Sequence, residues 1–244
     1  RRDNALILKI IYDSIINKLI TERTEVGLKE FLYEQVDELI KGPDGKYDIS
    51  KLTITKRLNE EYKDRTKIAH AVLADRIGIR DPGNKPNSGD RIQFVYIDVE
   101  SDEKVLQGDK IETPEYILDS NNGIKIDYKF YISNQLSKPI GQLFAIFNLE
   151  NVFDKDTIDK INKNYNNKIE NYVEKQKDDN GIICDDNQIK INEYNKKEWD
   201  KNITDQLFIK YLQKPQKPKK PKKEKKPKKN MKKSDSSVSL ELKL

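Results

Sequence analysis

From Ala5 to Ile40 the apolar residues of this chain recur every three or four positions, in two blocks parted by a short polar stretch. The first block is Ala5, Ile7, Leu8, Ile11, Ile15, Ile16, Leu19 and Ile20; the second is Leu28, Phe31, Leu32, Val36, Leu39 and Ile40. That spacing lays one apolar stripe along each of two helices. Asp3 stands where the first helix can be capped, and Gly42-Pro43 stops the second. A turn this short sends the chain back on itself, so the spacing predicts an antiparallel helix pair.

The periodicity then changes. "KLTITKRL" (51–58) alternates Leu52, Ile54 and Lys56 against Thr53 and Thr55, which predicts a short strand. "TKIAHAVLADRIGIR" (66–80) is helical through Ile68, Val72, Leu73 and Ile77. A loop with Pro82-Gly83 and Ser88-Gly89-Asp90 leads into a second strand, "RIQFVYIDV" (91–99). "IDYKFYISNQLSKPIGQLFAIF" (126–147) is helical at both ends, and Pro139, which lacks a backbone donor, predicts a kink or break between them. After Phe147 the chain turns to Asn, Lys and Asp, with helical stretches near 155–177 and 196–212 and a "DDNGIICDDN" loop between. The expected class is α+β, mainly α-helical.

Charge is unevenly spread. The whole chain carries +5, but Lys214 to Lys233 holds twelve lysines against Glu224, a net of +11, and 234–244 carries −1, which leaves −5 on the first 213 residues. Repelling lysines and extended prolines predict a disordered tail over 214–244. That tail admits three readings: a solubilising end, a nuclear localisation signal, or a non-specific DNA tether.

No self-contained active site can be assembled. The chain has one histidine, His70, and one cysteine, Cys184, and lacks a P-loop, a GxGxxG and an HExxH. One cysteine excludes a disulfide framework or a cysteine zinc cluster within the chain. Cys184, after Ile182-Ile183, is expected to be a buried, inert thiol. His70 is expected to be structural, and the acidic pairs Asp178-Asp179 and Asp185-Asp186 to be solvated loop carboxylates. No signal peptide and no apolar run near the roughly 20 residues of a membrane span is found, so no membrane partner is expected. What remains is a binding surface: ten cations against six acids between Lys51 and Arg91. Phosphate backbones bind such surfaces through counterion release, without base contacts.

The order of the blocks "RRDN", "DISKLTITKRL", "IAHAVLADRIGIRDPGNKPNSGDRIQFVYI" and "ETPEYILDSNNGIKIDYKFYISNQLSKPI" resembles the C-terminal part of a family B DNA polymerase of the delta type, over about residues 1–147. The resemblance implies a polymerase thumb domain with short strands, a helical C-terminal extension and a disordered Lys/Pro tail. It implies an end of the palm at 1–3, a thumb at 4–150, the extension at 151–213 and the tail at 214–244. It places Arg1, Arg2, Lys56, Arg76, Arg80, Lys85 and Arg91 against duplex DNA, makes Gly89 and Asp90 a structural turn, and assigns Phe130-Tyr131 to packing. Tyr128 departs slightly from the family pattern.

The implied activity is DNA-directed DNA polymerase, yet the palm carboxylates and exonuclease carboxylates have no counterpart here. The chain is therefore expected to be inactive alone, to bind no cofactor and to hold no metal. Mg2+ would belong to the palm of the parent polymerase. The chain begins with Arg1 rather than Met, which reads as a fragment. The implied partners are double-stranded primer-template DNA, the palm, finger and exonuclease domains, and a sliding clamp. Delta-type cellular enzymes end in two cysteine-rich metal modules; one cysteine and a lysine tail point instead to a large DNA virus, and so to an infected host cell, nuclear or cytoplasmic. The competing reading is a non-catalytic nucleic-acid-binding protein acting through its basic tail.

Overall fold

A computed structural model describes residues 4–212, apart from 100, 102–104 and 179–180. The C-terminal tail, Arg1, Arg2 and Asp3 lie outside the described residues. The two N-terminal stripes fold as α1 (Leu6–Glu22) and α2 (Leu28–Ile40), with Ile7, Ile11 and Ile15 of one and Leu28, Leu32, Val36 and Leu39 of the other buried. Arg23 ends α1 in the left-handed region (φ 54°), donating its N–H to the Leu19 carbonyl, and the two helices pack together.

The expected first strand is shorter than its alternation implied. Asp48 accepts from the Ser50 N–H at 2.8 Å and caps a short helix, α3 (Ile49–Leu52), so Leu52 is buried on a helix and not on a strand. Strand β1 keeps only Ile54–Arg57. The "AHAVLADR" segment forms α4 (Ala69–Arg80). After the Pro/Gly loop, β2 (Arg91–Tyr96) pairs antiparallel with β1 and with a two-residue strand absent from the sequence reading, β3 (Ile111–Glu112), in the order β1-β2-β3. Pro114 then opens α5 (Pro114–Leu118). Mostly helical with one small antiparallel sheet, the described chain has the expected α+β character.

Pro139 does not break its helix. The chain runs through α6 (Tyr128–Phe130) and a widened π stretch (Tyr131–Leu136) into α7 (Ser137–Phe144). The Ser137 N–H reaches back to the Ile132 carbonyl, so the ladder opens by one residue just before the proline and absorbs its missing donor. Tyr131 is buried there, and its hydroxyl accepts the Tyr96 N–H at 3.0 Å; burial pushes the phenol well above its ordinary pKa. Phe130 stacks on Tyr96.

Beyond Phe147 come α8 (Leu149–Val152), α9 (Lys155–Glu174), α10 (Asp185–Leu207) and α11 (Ile209–Leu212). Helix α10 starts at Asp185, well before the expected 196, with Asp185 and Asp186 complementing the helix dipole in its first turn. Cys184 sits at its N-cap and is exposed, against the expectation of burial, because only the helix behind it turns toward the body.

The extension packs on the part before it. Gly141 of α7 meets Thr204 of α10 so closely that an added Cβ would fall 1.8 Å from the Thr204 hydroxyl. The Trp199 indole donates to the Ala145 carbonyl at 3.1 Å, and Lys210 and the Tyr211 hydroxyl close on Asp37 of α2 at 2.9 and 2.8 Å. Ile161, Ile203, Leu207 and Phe208 join the same core as α1, α2 and the sheet.

Candidate nucleic-acid interface

The β1–β2 ladder decides which cations face outward. Its register sets Ile54 opposite Phe94, Thr55 opposite Gln93, Lys56 opposite Ile92 and Arg57 opposite Arg91. Side chains alternate along a strand, so opposed pairs share a face. Ile54, Ile92 and Phe94 are buried on the inner face, and Lys56 shares it, half-buried. Thr55, Arg57, Gln93 and Arg91 share the outer face, where Arg57 and Arg91 are exposed.

Where β2 begins, two residues face one. The Gly89 N–H donates to the Leu58 carbonyl and the Leu58 N–H donates to the Asp90 carbonyl, each at 2.8 Å. This is a β-bulge, and Gly89 adopts the left-handed φ of +92° that it requires. The Asp90 carboxylate accepts the Asn87 N–H at 2.7 Å and so folds the loop back on itself. Asp81 does the same at the other end, accepting from Gly83 and Asn84. The rigid loop carries Lys85, exposed, its stem lying over Gly78. Lys85 and Arg91 line one surface cleft of about 480 Å³ with Asn84, Asn87 and Asp90.

Four other cations of the segment, Arg65, Lys67, Arg76 and Arg80, are engaged within the chain. Arg65 holds Asp75 through two hydrogen bonds of 2.8 and 2.9 Å, which keep that carboxyl below its ordinary pKa. Lys67 pairs with Asp64 at 2.8 Å. Arg76 and Arg80, also expected against DNA, both pair with Glu112, Arg76 half-buried and Arg80 exposed. Arg76 donates to the Ile111 carbonyl at 2.5 Å and lies 3.4 Å from Glu112, while Arg80 reaches Glu112 at 2.7 Å and stacks on Tyr116. Glu112 is 2% exposed, so these arginines balance a buried carboxylate and fasten α4 to β3. Replacing Glu112 with alanine is expected to lower the unfolding free energy by about 2 kcal/mol, less than a fully buried pair because both arginines keep some water. Urea unfolding measures it; unchanged stability would mean the arginines are solvated without loss.

His70 contacts the Tyr62 hydroxyl at 3.1 Å. Burial holds its pKa below the ordinary value, with Lys56 and Arg65 acting in the same direction, so it adds little charge at neutral pH. Among the described residues, Arg57, Lys63, Lys85 and Arg91 have no ion-pair partner. Lys85, Arg91, Gly89 and Asp90 are thus brought to one corner of the sheet. Arg57 joins them there, and charge and motif alone did not single it out; only the pairing register reveals that it opposes Arg91. Arg1 and Arg2 lie outside the described residues.

Among the described residues no three His, Cys, Asp or Glu side chains lie together in a way that could hold a metal ion, and no helix is long and apolar enough to cross a membrane. The corner offers guanidinium and ammonium donors beside the Asp90 carboxylate.

The family model described as DNA polymerase family B matches residues 1–147. The DNA polymerase of Pyramimonas orientalis virus is 49% identical over 147 residues, 60% of this chain and 12% of that protein. The DNA polymerase of Acanthamoeba polyphaga mimivirus is 40% identical over 171 residues, 67% of this chain and 10% of that protein. The DNA polymerase delta catalytic subunit of Schizosaccharomyces pombe is 36% identical over 149 residues, 59% of this chain and 12% of that protein. The chain spans about a tenth of the length of these curated relatives.

Proposed function

The chain belongs to DNA polymerase family B, and on that premise we propose that it is the thumb end of a replicative polymerase of viral type, holding the primer-template duplex behind the active site. In this reading residues 1–3 close the palm, 4–150 are the thumb, 151–213 a helical extension and 214–244 a basic tail. The chain supplies no polymerase or exonuclease centre and is inactive alone; Mg2+ and the catalytic carboxylates belong to the palm of the full-length enzyme. Palm, finger and exonuclease domains are its partners in that enzyme, a sliding clamp is a further one, and an infected cell is its setting.

The observation that carries the reading is the corner where Lys85, Arg91 and Arg57 stand exposed on a bulge-braced turn, unpaired among the described residues. Phosphate contacts position a duplex without reading it, and rigid supports reduce the ordering loss on binding. Arg1, Arg2, Lys56, Arg76 and Arg80 are further duplex contacts in this reading, and Arg76 and Arg80 also pair with Glu112.

Fluorescence anisotropy with labelled primer-template duplexes of unrelated sequence tests the proposal. The protein truncated after Gln213 retains every residue of the described core and removes the lysine tail, which would bind DNA by itself. Binding of equal strength to all sequences is expected. No binding at low salt overturns the thumb role, and binding by the full chain alone favours the tail as the DNA-binding element.

A further inference from the structure

We infer that Arg57 and Arg91 together seat a single backbone phosphate, and that the end of the β1–β2 ladder is strained by their like charges until an anion fills it. The inference rests on the duplex-holding role proposed above. It adds Arg57 to the contact set and specifies the ligand as one phosphodiester group shared by two guanidinium forks.

The register carries the argument. Arg57 is directly opposite Arg91. The neighbouring Leu58–Asp90 pair is the hydrogen-bonded one, so the arginines fall in the non-bonded class, whose Cα atoms stand about 4.5 Å apart with side chains closest. Like charges placed so destabilise an antiparallel pair. Neither arginine has an ion-pair partner among the described residues, and the Asp90 carboxylate accepts the Asn87 N–H instead. The Arg57 Nη2 lies 3.7 Å from where a Cβ on Gly89 would stand, so the guanidinium rests beside bare backbone. Thr55 and Gln93, the next outer pair, are uncharged and leave the face open. A phosphate with two free oxygens accepts a fork from each arginine and cancels the repulsion between them.

The test uses residues 1–213 carrying Arg57→Gln, Arg91→Gln or both. Each single change is expected to raise Tm by about 1–3 °C at low ionic strength while weakening duplex binding about 10–150-fold. Because the two serve one phosphate, the double variant should bind no more than about twofold weaker than either single. The log–log salt slope should be shallower by about 0.9 in singles and double alike. Arg91→Lys, which keeps charge without the fork, should keep the low Tm and recover only part of the affinity.

Affinity losses that multiply, with a slope shallower by about 1.8 in the double, would overturn the shared seat; a fall of Tm in both singles would overturn the strain. Inorganic phosphate, compared with chloride at matched ionic strength, should raise Tm more for the wild type than for the double variant. If it does so while duplex fails to bind, the seat stands and the thumb role falls. Equal protection of both proteins overturns the seat.

Discussion

Truncating Phe208 to alanine is expected to lower the unfolding free energy by about 3–5 kcal/mol. Phe208 lies beyond the 147 residues of the family match, yet its side chain is fully buried in the one core cluster that also holds residues of α1, α2 and α7. Its neighbour Leu207 offers its carbonyl to the Tyr33 hydroxyl at 3.0 Å, and Lys210 and Tyr211 close on Asp37. Removing the ring leaves a cavity that these fixed contacts prevent from collapsing, and this puts the loss at the upper part of the range. Urea unfolding followed by far-ultraviolet circular dichroism should give one transition, moved to lower urea with its slope unchanged. Two separate transitions, or a loss below about 1 kcal/mol, would mean the extension is appended to the fold without completing it. The same packing argues against cutting the chain after Phe147, because that would strip Ile203, Leu207 and Phe208 from the core.

The second large effect concerns binding. Reversing Lys85 and Arg91 together to glutamate is expected to weaken duplex affinity of residues 1–213 at least about 100-fold at low salt. Each change removes a charge-assisted contact of about 1.5–3 kcal/mol and adds repulsion. Both side chains are exposed and serve no internal ion pair among the described residues, so stability should not fall, and Arg91→Glu, set opposite Arg57, should raise it. Reversing Lys63, equally exposed but away from the bulged turn in sequence, is the control and should have a far smaller effect. Equal losses at Lys63 and at the turn would reduce the interface to net charge.

Helices α1, α2 and α4 were legible because their stripes repeat regularly, and α2 also ends just before a plain stop signal, Gly42-Pro43. Leu52 was misplaced because alternation alone cannot weigh Asp48, whose capping bond wins the preceding turn for a helix. The start of α10 was hidden by its polar composition. Its buried residues include the polar Glu198 and Asn202 beside Ile191, Ile203 and Leu207, so its apolar stripe is thin. Pro139 was read correctly as a disturbance, but its resolution as a π stretch depends on tertiary packing around Tyr131.

At the interface, Lys85, Gly89, Asp90 and Arg91 were visible from turn chemistry and charge. Arg57 required the register. The pairing of Arg76 and Arg80 with Glu112 could not be read, because Glu112 lies 32 positions past Arg80 on a strand too short to be read from sequence.

The most direct measurement is the salt dependence of duplex binding by residues 1–213, wild type against Lys85→Glu/Arg91→Glu. If the corner holds backbone phosphates, log affinity falls linearly with log salt, and the variant line is shallower by about 1.8, two phosphate contacts at about 0.9 each. Parallel lines of equal affinity would contradict the account and leave the loop as ordinary surface.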